Sequence, residues 1–393
     1  MNRLPRCPDM GKAEAIRVSV IIPAYNSARW LGEAIESVLG QTFHEFELIV
    51  VDDGSTDNTS YIARAFTDPR IRYLHQHNKG LSAARNAGIR ESRAEYVALL
   101  DADDIFKPNK LELQVSVLDQ RPALALVTCG FDVLDERGAT VGEQRPWLAQ
   151  PKIDLQSLLF VNPVLPSTLV VRRSSFESVG LFDETLRRYE DWEFSLRLAA
   201  SGHQFGYIKE VLVEYRRHGS NLSTAPRLVH AATEDAEKFL TRHMEEPALE
   251  IKIGHLKQKV LGNLYLDAAA RWFSIRNGKM GAVALAEAFS HDPTLLDGTP
   301  PHWVTSLCSH ALGGLVADTR SYIECIAEHA PVLEGSAKWT GRKLGAQLLA
   351  ADAWRSMAMK RRSRARLQAL LALATDRSNV GDRGLIKLAF QPW

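Results

Sequence analysis

Apolar runs and amphipathic segments alternate along the first half of the chain. The run Arg17–Pro23 is nearly continuous in β-branched residues, which is typical of a strand buried on both faces of a parallel sheet. Leu31, Ile35 and Val38 then recur at helical spacing until Gly40, which predicts an amphipathic helix. Three more strand signals follow it at intervals: Phe46–Val51, Ile71–His75 and Tyr96–Leu100. This alternation predicts an α/β fold with a doubly wound, mostly parallel sheet.

The pattern changes along the second half. Val211–Arg216 alternates as an edge strand does, and beyond Pro226 the β-branched runs give way to Ala, Leu, Lys, Glu and Arg. We therefore predict a tail at 1–16, an α/β domain at 17–225 and an all-helical carboxyl-terminal domain at 226–393.

Two features of the helical region have weak signals. The stretch 264–293 has the spacing of one tetratricopeptide-like helix pair. Near the end, Lys360–Arg366 precedes a ladder of leucines. Such a basic amphipathic segment could make peripheral contact with an anionic membrane. The alternative is the solvated face of a packed helix.

Composition limits the partners and the compartment. Among 393 residues, 48 Lys and Arg stand against 47 Asp and Glu, a net charge of +1, so no global field selects nucleic acid. The four cysteines, Cys7, Cys129, Cys308 and Cys325, are far apart in sequence and are expected to be reduced thiols. No signal peptide or apolar stretch of about 20 residues is seen. We expect a cytoplasmic protein, or one held peripherally on the inner face of the membrane.

A group of carboxylates marks the most informative stretch. Asp101, Asp103 and Asp104 directly follow the strand signal Tyr96–Leu100, and clustered carboxylates are unfavourable without a cation. In alternating α/β chains ligands bind at the carboxyl ends of strands. Capping of a helix near Pro108 would explain one of these acids but not three, so the pattern predicts a divalent cation, Mn²⁺ or Mg²⁺.

Four segments together resemble a known family. They are Val18–Asn26, Val51–Asp57, Lys79–Asn86 and Leu100–Asp104. In this order and spacing the chain is similar to family 2 glycosyltransferases of the GT-A fold, over roughly Val18–Ser223. The resemblance implies a metal-dependent, inverting transfer of a sugar from a nucleotide-sugar donor, by default UDP-linked. The acceptor would be a hydroxyl of a glycan or a lipid-linked molecule in cell-surface polysaccharide or oligosaccharide biosynthesis.

The same resemblance assigns a nucleoside site. Pro23, Ala24 and Tyr25 would line the base, and Asp53 would accept a hydrogen bond from the uracil imide. Asp52 is the less certain member of the acidic pair, because one of two adjacent Asp residues can simply cap a helix.

The same resemblance assigns residues to the donor phosphates and to the metal. Arg85 would contact a phosphate oxygen, although a surface arginine on a helix is nearly as good an interpretation. Asp103 would ligate the metal, with Asp101 contacting ribose or reaching the metal, and Ala102 belongs to the same donor segment. His218 would supply a further metal ligand.

An acidic pair carries the predicted transfer chemistry. Asp191 would be the base that takes the acceptor proton, with Glu190 orienting the acceptor. Both acids could also complement the dipole of the helix that they begin, but that explanation leaves out Trp192, which could stack on a sugar face.

Other classes fit less well. A nucleotidyltransferase would need a Gly-rich, basic loop after the first strand, and a dehydrogenase would need G-x-G-x-x-G; neither motif is found. The remaining alternative is an inactive transferase-like scaffold that binds partners through its helical region.

Overall fold

The computed structural model describes residues 16–219, 221, 226–298, 301–311, 316, 318–329, 341–358, 362–376 and 389. Within them, nine strands form one sheet: β1 Val18–Ala24, β2 Phe46–Asp52, β3 Ile71–His75, β4 Tyr96–Leu99, β5 Ile105–Phe106, β6 Leu124–Leu134, β7 Thr140–Gln144, β8 Val170–Arg172 and β9 Gln204–Arg216. The helices of the α/β part are α1 Leu31–Leu39, α2 Thr59–Ala65, α3 Leu81–Glu91, α4 Lys110–Gln120, α5 Pro146–Ala149, α6 Leu155–Phe160, α7 Arg173–Val179 and α8 Glu190–Ala200. The later helices are α9 Pro226–Met244, α10 Pro247–Ile253, α11 Lys257–Ser274, α12 Gly278–His291, α13 His302–His310, α14 Thr319–His329, α15 Gly341–Ala358 and α16 Arg362–Thr375.

The sheet has a parallel half and a mixed half. Its strand order is β3-β2-β1-β4-β8-β6-β9-β5, with β7 beside β6. The first four strands pair in parallel, as the alternation predicts. Beyond β4, β8 runs antiparallel to both neighbours, whereas β6 and β9 are parallel. The α/β fold class is thus confirmed, and the mixed half contains the strands whose sequence signals are weakest.

The predicted edge strand Val211–Arg216 is wrong in extent and position. It is the end of β9, which lies between β6 and β5. Lys209 and Glu210 are exposed in the middle of β9, so the apolar alternation is interrupted there. The pairing of β6 with β9 also shifts register near Gly130. Because such a bulge interrupts the alternation of side chains, a period-2 pattern does not reveal the full length of the strand.

Side chains of the central strand alternate between two apolar layers. Ile21 of β1 belongs to the layer that contains α3 and α8, whereas Val20 and Ile22 belong to the layer that contains α1 and α4, as the strand period requires. Helix α3 lies close to β1 because residue 88 is glycine: a Cβ there would meet Cγ2 of Ile21 at 2.4 Å. This close packing brings Arg85, one turn earlier on α3, to the edge of the sheet.

The first helices of the helical region share a core with the α/β region. Phe239 of α9 and Leu264 of α11 lie in the same buried cluster as Ile21 and Trp192. A further cluster, centred on α11, α12 and α13, lies beyond it. From α9 onward, every element of regular secondary structure in the described residues is a helix. The division of the chain into two domains at residue 226 stays our proposal.

Other predictions concern the chain ends and the helix pair. The predicted pair at 264–293 corresponds to α11 and α12, which pack against each other. The tail up to residue 15, Cys7, Lys360 and Arg361 lie outside the described residues, as do the side chains of the remaining arginines of the basic segment. Over the part of the chain that is described, no helix combines the length and apolar character that a membrane span requires.

Candidate active site

The end of β2 holds two buried carboxylates that accept hydrogen bonds from the chain itself. Asp53 is 3% exposed and accepts hydrogen bonds from the backbone N–H groups of Lys79 (2.9 Å) and Gly80 (2.8 Å) and from Nε2 of Gln76 (2.7 Å). A carboxylate has about four acceptor positions, so room for roughly one further donor remains. Asp53 therefore ties the start of α3 to the sheet, and its predicted contact with a base stays a prediction.

Asp52 is held similarly on the other side of the strand. It is 1% exposed and accepts from Ser55 N at 2.9 Å and from the Tyr73 hydroxyl at 2.6 Å. Burial alone would raise its pKa, but these hydrogen bonds outweigh burial, and the pKa is lowered. Gly54, in the loop after β2, has φ +76°, and a Cβ there would meet Asn78 N, in the loop after β3, at 2.8 Å. The close approach of these two loops therefore depends on the glycine.

The predicted base-lining residues lie where β1 ends. Pro23 and Ala24 are buried, whereas Tyr25 exposes half of its surface. The Ala24 carbonyl accepts from Asp53 N at 2.8 Å, which joins this loop to the acidic end of β2. Of the three, Tyr25 has the side chain that is free to cover a ligand.

The turn after β4 connects three elements through Arg85. This arginine is 1% exposed; its Nη2 donates to Asp101 at 2.6 Å and its Nη1 to Glu190. The predicted phosphate ligand is thus an internal bridge between the strand end and the start of α8. Burial raises the pKa of Asp101, Arg85 lowers it and the neighbouring Asp103 raises it, with a net increase.

The next acid of the turn contacts the end of β9. Asp103 Oδ2 lies 2.8 Å from His218 Nε2 and 3.2 Å from Asn221 Nδ2. The His218 ring stacks on Trp30, with centroids 5.9 Å apart. Arg216 fixes the turn by donating from Nε to the Asp103 carbonyl at 3.2 Å. The structure therefore brings two of the three predicted metal ligands together.

The third predicted ligand is not gathered with them. Asp101 is paired with Arg85, and within the described residues no group of three or more His, Cys, Asp or Glu side chains is arranged to hold a metal. Ala102 is 6% exposed and belongs to the apolar core, so only its backbone can face a donor. The ligand role of Asp101 stays a prediction.

Asp103 and His218 nevertheless suit a divalent ion. Adjacent ligands of an octahedral ion with bonds of about 2.1 Å lie roughly 3 Å apart, close to the 2.8 Å between Oδ2 and Nε2. Mg²⁺ and similar ions are often held by one or two protein ligands, with water and phosphate oxygens completing the shell. The pair fits such an ion when a diphosphate supplies the remaining ligands.

The acidic pair begins α8, after a residue with unusual backbone geometry. Tyr189 has φ +67°, a left-handed conformation that costs a non-glycine residue of order 1 kcal/mol or more. It turns the chain so that Glu190 is buried against Arg85 while Asp191 remains partly exposed. Strain of this kind persists where the surrounding structure over-determines it, often at functional sites.

Asp191 has the pKa expected of a base. Burial and the neighbouring Glu190 raise the pKa of Asp191 to about 7, although Arg85 acts in the opposite direction. Asn162 donates to Asp191 Oδ2 at 3.0 Å and so fixes its orientation. A carboxylate with a pKa near 7 can accept a proton at neutral pH and return it to solvent.

The suggestion that Trp192 stacks on a sugar is wrong. Trp192 is 6% exposed and its Nε1 donates to the Leu158 carbonyl at 2.5 Å. Its ring packs edge-on against Tyr189 and Phe239. Trp192 is a core residue because its side of α8 packs against Phe239 of α9 and against Leu158 of α6.

Comparison with known proteins identifies the family. The sequence profile described as Glycosyl transferase family 2 matches residues 19–180. An uncharacterized glycosyltransferase of Rickettsia prowazekii is 34% identical over 242 residues, which are 60% of this chain and 75% of that protein. The chain belongs to glycosyltransferase family 2.

Other relatives agree with this assignment. Glycosyltransferase GlyG of Streptococcus pneumoniae is 44% identical to this family 2 glycosyltransferase over 222 residues, 52% of this chain and 72% of GlyG. An uncharacterized glycosyltransferase of Rickettsia conorii is 32% identical, with the match covering 58% of this chain and 36% of that protein. The chain therefore spans only part of some relatives.

Solved structures confirm the GT-A fold. S. aureus TarS 1–349 in complex with UDP-GlcNAc has a TM-score of 0.53 and 19% identity, with 92% of each chain covered. The mannosyltransferase PcManGT from Pyrobaculum calidifontis, in complex with GDP-Man and Mn²⁺, has a TM-score of 0.50 and 19% identity, with 94% of this chain and 89% of that chain covered.

Sequence reasoning on this family 2 glycosyltransferase missed Asn162 and gave Asp104 no role of its own. Asn162, which holds Asp191, lies in a loop with no motif around it. Asp104 is fully buried, accepts from Ser167 Oγ at 2.5 Å and Arg216 N at 3.0 Å, and has a pKa raised well above its usual range by burial and by Asp103. Its sequence signal was its place as the third acid in four residues.

Proposed function

We propose that this chain is an inverting, metal-dependent glycosyltransferase that moves a sugar from a nucleotide-sugar donor to an acceptor hydroxyl. The observation that carries the proposal is Asp191, whose pKa is raised to about 7 beside the continuous polar chain Glu190–Arg85–Asp101. A base with this pKa at the rim of a family 2 site suits proton removal at neutral pH.

Asp191 takes the proton from the acceptor hydroxyl as its oxygen attacks the anomeric carbon. The attack and the departure of the nucleoside diphosphate occur on opposite faces of the sugar, so the configuration inverts. Glu190 is bound to Arg85 and is therefore less free to take the proton; it orients the acceptor through its remaining lone pairs.

The donor lies on the other side of the same edge. Asp103 and His218 would hold Mn²⁺ or Mg²⁺, which would neutralise the charge that develops on the departing diphosphate. Tyr25, with Pro23 and Ala24 behind it, covers the base. UDP is our first choice of nucleotide, although GT-A proteins of similar fold are recorded with UDP-GlcNAc and with GDP-Man.

The acceptor and location are part of the proposal. We infer a glycan or lipid-linked acceptor in cell-surface polysaccharide or oligosaccharide assembly, and action in the cytoplasm or on the inner face of the membrane. Contact with an anionic membrane through Lys360–Arg366 would fit such an acceptor.

A donor screen tests the proposal. Nucleotide sugars are added to the protein with Mn²⁺ or with EDTA, and the melting temperature is followed, because a ligand that binds the folded state alone raises it. We expect one donor to stabilise the protein with Mn²⁺ only, and Asp103→Ala to remove this effect.

Asp297→Ala, at an exposed position, is the matched control and should behave as the wild type. Stabilisation by the donor that survives in Asp103→Ala would remove Asp103 from the metal site. No transfer or hydrolysis of any donor would favour the scaffold alternative.

A further inference from the structure

The carboxyl end of α6 is held by side chains of two other helices. A helix leaves the carbonyl groups of its last turn without backbone partners of their own. The Leu158 carbonyl of α6 accepts a hydrogen bond from Trp192 Nε1 of α8 at 2.5 Å. The Phe160 carbonyl accepts from Asn263 Nδ2 of α11 at 2.6 Å. The end of α6 is therefore fixed between the helix that begins with the acidic pair and the helical region.

The chain that leaves α6 leads directly to Asn162. Val161, the first residue after the helix, is extended, with φ −147° and ψ 133°. Pro163 follows Asn162, and a residue that precedes proline is confined to extended backbone conformations. Few free dihedral angles thus separate the Phe160 carbonyl from Asn162. A shift at the end of α6 would therefore move the Asn162 side chain as well.

Both ends of the Asn162 amide are bound. Its Oδ1 accepts from Val164 N at 3.2 Å, and its Nδ2 donates to Asp191 Oδ2 at 3.0 Å. The other carboxylate oxygen, Asp191 Oδ1, accepts from Trp192 N at 2.9 Å. One donor of the Asp191 carboxylate therefore comes from its own helix, and the other depends on the position of the loop after α6.

The charges that act on Asp191 come from elsewhere. Glu190, on the same helix, raises the pKa of Asp191 together with burial, whereas Arg85 of α3 lowers it. The loop after α6 contributes the uncharged amide of Asn162, which also lowers the pKa. The side chain of Asn263 carries no charge either. Replacing Asn263 with an apolar residue leaves these charges unchanged, so its effect on Asp191 must pass through the position of Asn162.

We propose that Asn263 is a positioning residue for Asp191: by holding the end of α6, it keeps Asn162 beside the carboxylate that takes the acceptor proton. This inference rests on the proposed transferase function and extends it, because it gives the helical region a part in the transfer. The alternative is that Asn263 only closes the end of α6. Its loss would then lower the stability of the fold and leave Asp191 unaffected.

The first experiment follows the titration of Asp191 without donor, acceptor or metal. The whole protein is labelled with ¹³C at the side-chain carboxyl carbon of aspartate, and the Asp191 resonance is identified by its loss in Asp191→Asn. We expect Asn263→Ala to raise the midpoint of this titration by about half a pH unit, because a displaced Asn162 stabilises the ionised form less. Asn263→Leu, which is similar in size but has no donor, should give the same shift.

Asn277→Ala is the matched control. Asn277 also lies in the helical region, where its side chain accepts from Met280 N at 3.2 Å and caps α12. Its replacement should lower the melting temperature and leave the titration of Asp191 unchanged. If Asn263→Ala does not fold, Asn263→Leu decides the result. An unchanged midpoint in the folded Asn263 variants, or an equal shift in Asn277→Ala, overturns the positioning role.

A double variant tests the route of the effect. Residues that act through one contact are not additive, so Asn263→Ala should produce no further shift of the Asp191 titration when Asn162→Ala is already present. Two shifts that add in full would show that Asn263 acts independently of Asn162, which overturns the proposed route.

The second experiment measures transfer as a function of pH. In Asn263→Ala, kcat should fall about twofold at pH 7 and recover by pH 9, with donor affinity unchanged. A shift of the carboxyl titration without a matching shift of kcat would overturn Asp191 as the base, which is part of the proposed function. An unchanged carboxyl titration overturns the role of Asn263 whether or not the protein proves to be a transferase.

Discussion

Two groups of acids lie near the carboxyl-terminal edge of the parallel strands, and their surroundings differ. At the end of β2, Asp52 and Asp53 are almost fully buried and are held by hydrogen bonds from their own chain. After β4 and at the start of α8, Asp103 and Asp191 remain partly exposed, and the pKa of Asp191 is raised. The residue type is the same, but the donors around it differ.

This difference separates positioning from chemistry. Asp52 and Asp53 use most of their acceptor positions on donors of their own chain, and they thereby fix the loops around them. A carboxylate crowded by other acids has an excess of negative charge, which a cation or a proton can relieve. We therefore expect Asp52 and Asp53 to matter mainly for stability, and Asp103 and Asp191 mainly for turnover.

The largest expected effect is on transfer. Asp191→Asn keeps the size of the side chain and removes the base, so kcat should fall by about 10²- to 10⁴-fold while donor affinity stays unchanged. Calorimetry with the donor and a transfer assay measure the two quantities. Asp183→Asn, at a turn after α7, is the control and should retain wild-type turnover; unchanged kcat in Asp191→Asn would exclude this residue as the base.

The second effect is on folding, and it compares Asp53 with Asp103. Asp53→Ala leaves two backbone N–H groups and Gln76 without their acceptor, and should cost about 3 kcal/mol. Asp103→Ala should cost less than about 1 kcal/mol, because it also removes repulsion with Asp101 and Asp104. Urea unfolding measures the loss of unfolding free energy in both variants. Equal losses would contradict the expected difference between Asp53 and Asp103.

The third effect is a pH dependence with opposite signs for rate and stability. Transfer needs ionised Asp191, so kcat should rise about tenfold per pH unit below the midpoint near pH 7. The raised pKa means that the native state favours protonated Asp191. The contribution of this protonated group to folding stability is complete below pH 3.8 and is lost as the pH rises through about 7.

Unfolding measured between pH 5 and 8 tests whether the stability of the native state falls as the pH rises. Asp191→Asn should flatten this dependence of stability on pH, since the variant has no titrating group at this position. An equally steep dependence in the variant would show that other groups, and not Asp191, produce it.

The smallest effect concerns Asn162. Its amide lowers the pKa of Asp191 by donating to the ionised form, so Asn162→Ala should move the midpoint of kcat upward by less than about one pH unit. At pH 7 this amounts to a loss of a few fold, and at pH 9 the variant should recover. A loss that is constant with pH would indicate misplaced geometry instead.

The parallel half of the sheet could be predicted from sequence because its strands are continuous apolar runs. Asp103 is singled out by its place after a strand signal, and Asp191 by the family resemblance of an acidic pair at a helix start. What could not be predicted depends on contacts across long sequence separations: Arg85 meets Glu190, 105 positions away, and Trp192 is covered by Phe239. No local pattern contains the identity of such a partner.

The core that α8 shares with α9 and α11 has a consequence for how the two regions of the chain could be separated. Since Trp192 and Phe239 pack against each other, removal of the chain after residue 225 would expose the back of the helix that carries Asp191. The helices cannot be exchanged as an independent module without re-forming that contact. Replacement of these helices by others would therefore require matching substitutions where they meet Trp192.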